Sequence, residues 1–157
     1  MKKLAVAAVV CAAALWVVLY LQPFVVRLGI TDLPLPLQKV DVENAGYTVQ
    51  EASSSTAVYQ KNDYKLVVES NEDGSIQSVY ADTYVSTSSD MSVYGRITLG
   101  DSVEKVKKYY GEPTFDMGND CLLFTKRFNE GKEDTIAIGT QDGKVIHIEI
   151  MYEDSEE

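Results

Sequence analysis

The side chain best suited to proton transfer is the single histidine, His147, in the segment Val-Ile-His-Ile-Glu-Ile at positions 145–150. An imidazole serves as a general base or a metal ligand when a nucleophile or further ligands stand beside it. Strict alternation places Ile146, Ile148 and Ile150 on one face of a strand, and His147 with Glu149 on the other. The sequence contains no HExxH, GxSxG or paired Cys and His spacing. We therefore predict no catalytic residue, and we interpret His147 as a solvent-facing strand residue.

The thiols offer little chemistry. Cys11 lies within an apolar N-terminal segment, so Cys121 is the single thiol in the remainder of the chain and no disulfide can form there. Cys121 begins the apolar run Cys-Leu-Leu-Phe, which predicts a small buried hydrophobe rather than a reactive group.

Oxygen-bearing side chains of the kind that bind Ca²⁺ are clustered at residues 71–73 and 119–120. The alternating aspartates of a calcium loop are missing from both clusters, so turns are predicted, with no metal and no cofactor. The 24 acidic residues leave a glycosidase-like carboxylate pair open, but no spacing singles out two of them. We predict that the protein is not an enzyme, with a hydrolase as the remaining alternative.

Tyrosine is the most unusual component, with ten residues in a chain of 157. Its large rigid ring with a polar tip is enriched at protein interfaces, and it is also a good strand residue. Core packing and an exposed recognition patch therefore both remain open for these side chains. The predicted interaction surface consists of Tyr47, Tyr59, Tyr64, Tyr80, His147 and Glu149.

The elements that would position these residues are clearest in a second unit, predicted over residues 96–153. Asp101 can cap a helix that ends at Gly111 and Pro113. Three apolar runs at 121–128, 135–139 and 145–152 follow, separated by turn-forming residues. This order predicts an α-β-β-β unit, and residues 154–157 form an acidic tail.

A looser copy of this unit is predicted over residues 37–84. Val-Tyr-Gln at 58–60 matches Leu-Phe-Thr at 123–125, and Asp73-Gly74 matches Asp142-Gly143. The predicted fold class is α+β: an N-terminal transmembrane helix, then two tandem α-β-β-β units that form an antiparallel sheet with both helices on one face. Residues 28–36 are predicted as a stalk and residues 85–95 as the connection between the units.

Residues 4–21 carry no charge and follow Lys2 and Lys3. This length spans a bilayer, and the basic flank favours a cytoplasmic N-terminus. We predict a membrane anchor over residues 1–27, which makes the protein a single-pass protein of the cell membrane with its C-terminal domain extracytoplasmic. Two alternatives stay open, namely cleavage near residues 12–14, which would secrete the protein, and lipidation of Cys11.

The formal net charge is −10, and all 24 acidic residues follow the apolar segment. Such a surface repels phosphate backbones, so nucleic acid is excluded as a partner. The membrane, through the N-terminal helix, and an unknown envelope protein with a basic patch are the predicted partners.

The segment Ile-Thr-Leu-Gly-Asp-Ser-Val-Glu-Lys-Val at 97–106, the Tyr-Gly-Glu-Pro at 110–113 and the hairpin at 142–145 resemble a known pattern. It is that of the extracytoplasmic modules grouped with β-lactamase-inhibitor proteins and outer-membrane assembly lipoproteins, and the similarity is best over residues 96–152. The resemblance implies a non-enzymatic, protein-binding module on the cell exterior. The chain departs from the pattern in having one helix per copy and no disulfides.

The predicted function is therefore that of a membrane-anchored, extracytoplasmic protein-binding module of the bacterial cell envelope. The alternatives are a sensor domain for a small ligand or Ca²⁺, and a secreted or lipidated form of the same module.

Overall fold

The computed structural model describes residues 26–29, 31–33, 36–93, 96–118, 121–129 and 132–152. These ranges contain two helices, α1 (Lys39–Asn44) and α2 (Val103–Tyr110). They also contain eleven strands: β1 (Val26–Leu28), β2 (Thr31–Leu33), β3 (Thr48–Ala52), β4 (Thr56–Lys61), β5 (Tyr64–Ser70), β6 (Ile76–Asp82), β7 (Met91–Val93), β8 (Phe115–Asp116), β9 (Leu122–Asn129), β10 (Lys132–Gln141) and β11 (Lys144–Met151).

Eight of these strands form one antiparallel sheet in the order β3-β4-β5-β6-β11-β10-β9-β8. Each half of the sheet is a consecutive run of four strands that follows one helix. The two halves are arranged head to head, because the last strand of the first half, β6, pairs with the last strand of the second half, β11. We call this β6–β11 pairing the seam.

The two halves contribute equivalent residues to a single hydrophobic core. Tyr59 of β4 and Phe124 of β9 are both buried, as are Val42 of α1 and Val106 of α2. The core lies on the face of the sheet that the helices cover, since these helical valines belong to the same buried cluster as the inward strand residues. Burial of these apolar side chains is the main favourable contribution to folding.

A second, three-stranded sheet in the order β2-β1-β7 adds to the same core. Its apolar residues, among them Val26, Leu28 and Met91, are fully buried within that cluster. Strand β2 lies in the segment predicted as a stalk, and β7 lies in the segment predicted as a connection. Both segments are therefore built into the domain by strand pairing.

The predicted fold class is wrong. In the described ranges the protein is mainly β, with two short helices, and each half of the main sheet has four strands where three were predicted. Strand β3 was missed because all five of its residues are exposed, so no apolar alternation marks it. Helix α2 also begins differently: Ser102, rather than Asp101, accepts a hydrogen bond from the backbone N–H of Lys105 at 3.3 Å.

The predicted location in the cell membrane is corrected as well. Neither helix of the described ranges is long and apolar enough to cross a bilayer. The single-pass arrangement therefore has no support in the structure. The predicted helix over residues 4–21 lies outside the described residues, as do Cys11 and residues 119–120.

Candidate interaction face at the seam

The seam is built from five directly opposed residue pairs, from His147 opposite Asp82 to Met151 opposite Ser78. Two further backbone hydrogen bonds extend it: the Thr83 N–H donates to the Ile146 carbonyl at 2.9 Å, and the Tyr152 N–H donates to the Gln77 carbonyl at 2.8 Å. In the described part of the main sheet, this is the one strand pairing that joins the two halves.

One end of the seam carries a histidine between two carboxylates. The Nδ1 atom of His147 lies 2.9 Å from Oδ2 of Asp82, across the seam, and its Nε2 atom lies 3.4 Å from Oε2 of Glu149. The His147 ring centroid is 5.5 Å from that of Tyr80. When protonated, the imidazole donates from both nitrogens, which matches the two acceptors it faces.

Burial and the two carboxylates act on His147 in opposite directions. Burial by itself lowers the pKa of the imidazole, whereas the hydrogen bonds with Glu149 and Asp82, and the charges of these carboxylates, raise it. The carboxylates prevail, so the pKa of His147 lies above its ordinary value of 6.5. The structure therefore favours the charged form of this side chain.

Asp82 is held in position by the chain that follows it. Its Oδ1 atom accepts a hydrogen bond from the backbone N–H of Tyr84 at 2.6 Å, which leaves Oδ2 directed to His147. The Asp82 carboxylate therefore stabilises the turn after β6 with one oxygen and contacts His147 across the seam with the other.

A glycine makes room for His147 on the neighbouring strand. Gly139 of β10 is opposite His147, and a Cβ placed on Gly139 would lie 3.2 Å from the Cβ of His147. This distance is tighter than an ordinary van der Waals contact. Any larger residue at position 139 would therefore force the histidine or the strands to shift.

Carboxylates from three adjacent strands surround Tyr80 on the same face. Glu69 of β5, Asp82 of β6 and Glu149 of β11 all raise the pKa of the Tyr80 hydroxyl through their charge, in addition to the larger effect of burial. Glu69 also accepts a hydrogen bond from the Ser78 hydroxyl at 3.3 Å. We call the surface formed by Glu69, Tyr80, Asp82, His147 and Glu149 the seam face.

The seam face lies opposite the helices. Val79, Ala81, Ile148 and Ile150 alternate with its residues along β6 and β11, and all four belong to the main core. Beside it, Val67 and Ala137 are buried at 3% and 5% exposure without belonging to the main core cluster. Val67 opposes Tyr80, and Ala137 opposes Glu149. The seam face is therefore a well-packed surface and not a loose, fully solvated one.

Half of the predicted interaction residues come together here. Tyr80, His147 and Glu149 share the seam face; alternation predicted this for His147 with Glu149, and the pairing of β6 with β11 adds Tyr80. Tyr47 and Tyr59 are instead buried in the core at 1% and 2% exposure, and Tyr64 packs partly buried against that core. The sequence did not single out Asp82 and Glu69. Asp82 lies two residues from Tyr80 on β6, and Glu69 lies two residues from Val67 on β5, so each pair shares a strand face. The approach of the two carboxylates to His147 and Tyr80 depends on which strands pair.

Residues 71–73 were predicted to form a turn, and Cys121 was predicted to be a small buried hydrophobe. The carboxylate of Asp73 accepts hydrogen bonds from the N–H and hydroxyl of Ser75 at 2.8 and 2.7 Å, which makes residues 71–75 a turn. Cys121 is a half-buried free thiol, more accessible than predicted. No group of three His, Cys, Asp or Glu side chains in the described ranges is arranged to hold a metal ion.

No family model matches the sequence, and no curated protein matches it. One solved structure is similar in shape. It is a DUF4309 family protein (YjgB) from Bacillus subtilis, with a TM-score of 0.45, 12% sequence identity, and 76% of this chain and 80% of that chain covered. A similarity at this level does not assign a function to the seam face, which has to be interpreted from its own residues.

Proposed function

We propose that the protein is a non-enzymatic recognition module that binds a basic region of a partner protein through the seam face. The observation that carries this proposal is the convergence of three carboxylates around the half-buried Tyr80. A tyrosine supplies rigid contact area, and surrounding carboxylates attract lysine and arginine side chains. The overall charge of −10 strengthens this attraction at longer range.

The surroundings of His147 support binding over catalysis. Both of its ring nitrogens face carboxylates, and within the described residues no hydroxyl or thiol forms a hydrogen bond with either nitrogen. A nucleophile activated by histidine would need such a contact. The imidazole is thus arranged to organise acidic side chains.

A charge-matched comparison tests the proposal. The seam-face variant Glu69→Gln with Glu149→Gln removes two charges from the face, and the control variant Glu51→Gln with Glu72→Gln removes two exposed charges elsewhere. Each full-length protein would be cross-linked in the cells that express it. We expect a defined partner that the wild type and the control recover and the seam-face variant loses.

Two further measurements test whether the recovered partner binds through charge and at the seam face. Binding of the recovered partner should weaken steeply as salt concentration rises, because screening reduces attraction between exposed charges. A photo-reactive residue in place of Tyr80 should cross-link to that partner, and one in place of Phe115, which is 60% exposed on strand β8, should not. Equal recovery by both charge variants, or salt-independent binding, contradicts the proposal.

A further inference from the structure

The junction between the two halves of the sheet is asymmetric. The turn at Asp73-Gly74 in the first half corresponds to the turn at Asp142-Gly143 in the second half. With the same sequence offset, Ser78 of the first half corresponds to His147 of the second, and Asp82 of the first half corresponds to Met151 of the second. The pair His147 opposite Asp82 at one end of the seam is therefore equivalent to the pair Ser78 opposite Met151 at the other. One end carries an ion pair, and its structural counterpart cannot ionise.

We propose that the His147–Asp82 pair is a pH-sensitive clasp, which holds the two halves of the sheet together when His147 is protonated and loosens their junction when it is neutral. The clasp spans β6 and β11, which form the seam. The side chains of Asp82 and His147 are only 15% and 25% exposed, so water screens their interaction weakly. The inference does not depend on the proposed partner.

Among the described residues, the groups that face His147 come from four strands. Strand β11 contributes Glu149, β6 contributes Asp82 and Tyr80, and β10 contributes the uncharged Gly139. On β5, one strand beyond β6, alternation places Glu69 and Lys65 on the same face. Within the described residues Lys65 forms no ion pair, whereas the three carboxylates converge on the seam. The balance therefore favours imidazolium.

The direction of the pH effect follows from this arrangement. The joined state binds the His147 proton more tightly than an open state does, because Asp82 of β6 lies beside the imidazole only when β6 and β11 are paired, whereas Glu149 shares β11 with His147. The stabilisation is complete below about pH 6.5, the ordinary pKa of histidine, and it is lost as the pH rises through the raised pKa of His147. The equilibrium constant for opening the seam should increase about tenfold for each pH unit by which the pKa of His147 in the joined state exceeds its pKa in the open state.

The single histidine makes the test direct, because one imidazole signal in the nuclear magnetic resonance spectrum of the full chain reports its titration. We expect a midpoint above 6.5 that Asp82→Asn lowers. Hydrogen exchange, corrected for the intrinsic effect of pH, gives the second readout. Protection of the Thr83 amide at the clasp should fall between pH 6 and 8.5. Protection of the Ser70 amide, which donates to the Ser55 carbonyl, should change less.

Variants separate the clasp from other effects of pH. In His147→Gln, protection of Thr83 should be independent of pH, whereas Met151→Leu, at the equivalent end of the seam, should behave as the wild type does. If His147→Gln does not fold, Asp82→Asn serves instead and should give a shallower pH dependence. A histidine midpoint at or below 6.5 overturns the clasp. So does an unchanged pH dependence of Thr83 in His147→Gln.

Discussion

The hydroxyl of Tyr47 donates a hydrogen bond to the carboxylate of Asp90, although 43 residues separate the two in sequence. Asp90 also pairs with Lys61 at 3.3 Å, and its backbone carbonyl accepts a hydrogen bond from the Gly29 N–H at 3.0 Å. The contact thus connects the small sheet to the loop after helix α1. Burial raises the pKa of Tyr47, and the neighbouring Asp90 raises it further, so the phenol stays neutral.

Replacing Tyr47 with phenylalanine should lower the free energy of unfolding by about 1–2 kcal/mol, because Asp90 loses a donor at a largely buried position. Urea denaturation measures the change. Tyr59→Phe is the matched control, since the ring of Tyr59 is buried to a similar extent and its hydroxyl makes no hydrogen bond within the described residues. Equal losses in the two variants would show that the contact with Asp90 contributes nothing.

Helix α2 should depend on Val106, which is fully buried against the sheet. Val106→Ala removes two methyl groups and leaves a cavity, so we expect a loss of about 2–3 kcal/mol in the free energy of unfolding. Val40→Ala on helix α1 is the control, because Val40 is 50% exposed and should change stability by less than about 0.5 kcal/mol. Thermal and urea unfolding would both report the difference. Similar losses would contradict the assignment of Val106 to the core.

Gly139→Ala should destabilise the protein by about 1 kcal/mol. The added Cβ would meet that of His147 at 3.2 Å between paired strands, which outweighs the smaller gain from replacing glycine in a strand. The histidine signal should also shift, because the ring must move relative to Asp82. Nuclear magnetic resonance and urea unfolding check the two effects. Unchanged stability together with an unchanged histidine signal would refute the close approach.

The turn between β5 and β6 should respond to acid through Asp73. Hydrogen bonds from the hydroxyl and N–H of Ser75 lower the pKa of Asp73, so this contribution to stability is present above the ordinary value of 3.8 and is lost as the pH falls through the lowered pKa. Ser75→Ala should raise the pKa of Asp73 part of the way back, because the N–H remains. A carboxyl titration by nuclear magnetic resonance tests this. Ser53→Ala, in the turn between β3 and β4, should leave the pKa of Asp73 unchanged, and the same result for Ser75→Ala would refute the prediction.

Local patterns predicted individual elements well. Helix α2 was expected to end at Gly111 and Pro113, and the structure ends it at that glycine, whose φ is 86°. The alternation along β11 correctly placed Ile148 and Ile150 in the core, with His147 and Glu149 on the opposite face, but Ile146 lies outside the core because the register with β10 shifts there. These features depend on interactions within one element, so the sequence alone determines them.

The missed elements depend on contacts between distant residues. Strand β3 has no buried side chain, and it exists because its backbone pairs with β4. The small sheet joins β1 to β7, which lies far along the chain. Strand propensity does not specify which strands become neighbours, because pairing is decided by packing across the strands. The fourth strand of each half and the small sheet therefore escaped prediction.

The candidate site likewise depends partly on local sequence patterns and partly on contacts between distant residues. The sequence determined that the protein has one histidine, many tyrosines and a large excess of acidic residues, and that His147 and Glu149 share a strand face. Only the tertiary structure decided that Tyr47 and Tyr59 lie in the core and that Asp82 lies 2.9 Å from His147. The physical reason is the pairing of β6 with β11, which brings together side chains that are 65 residues apart.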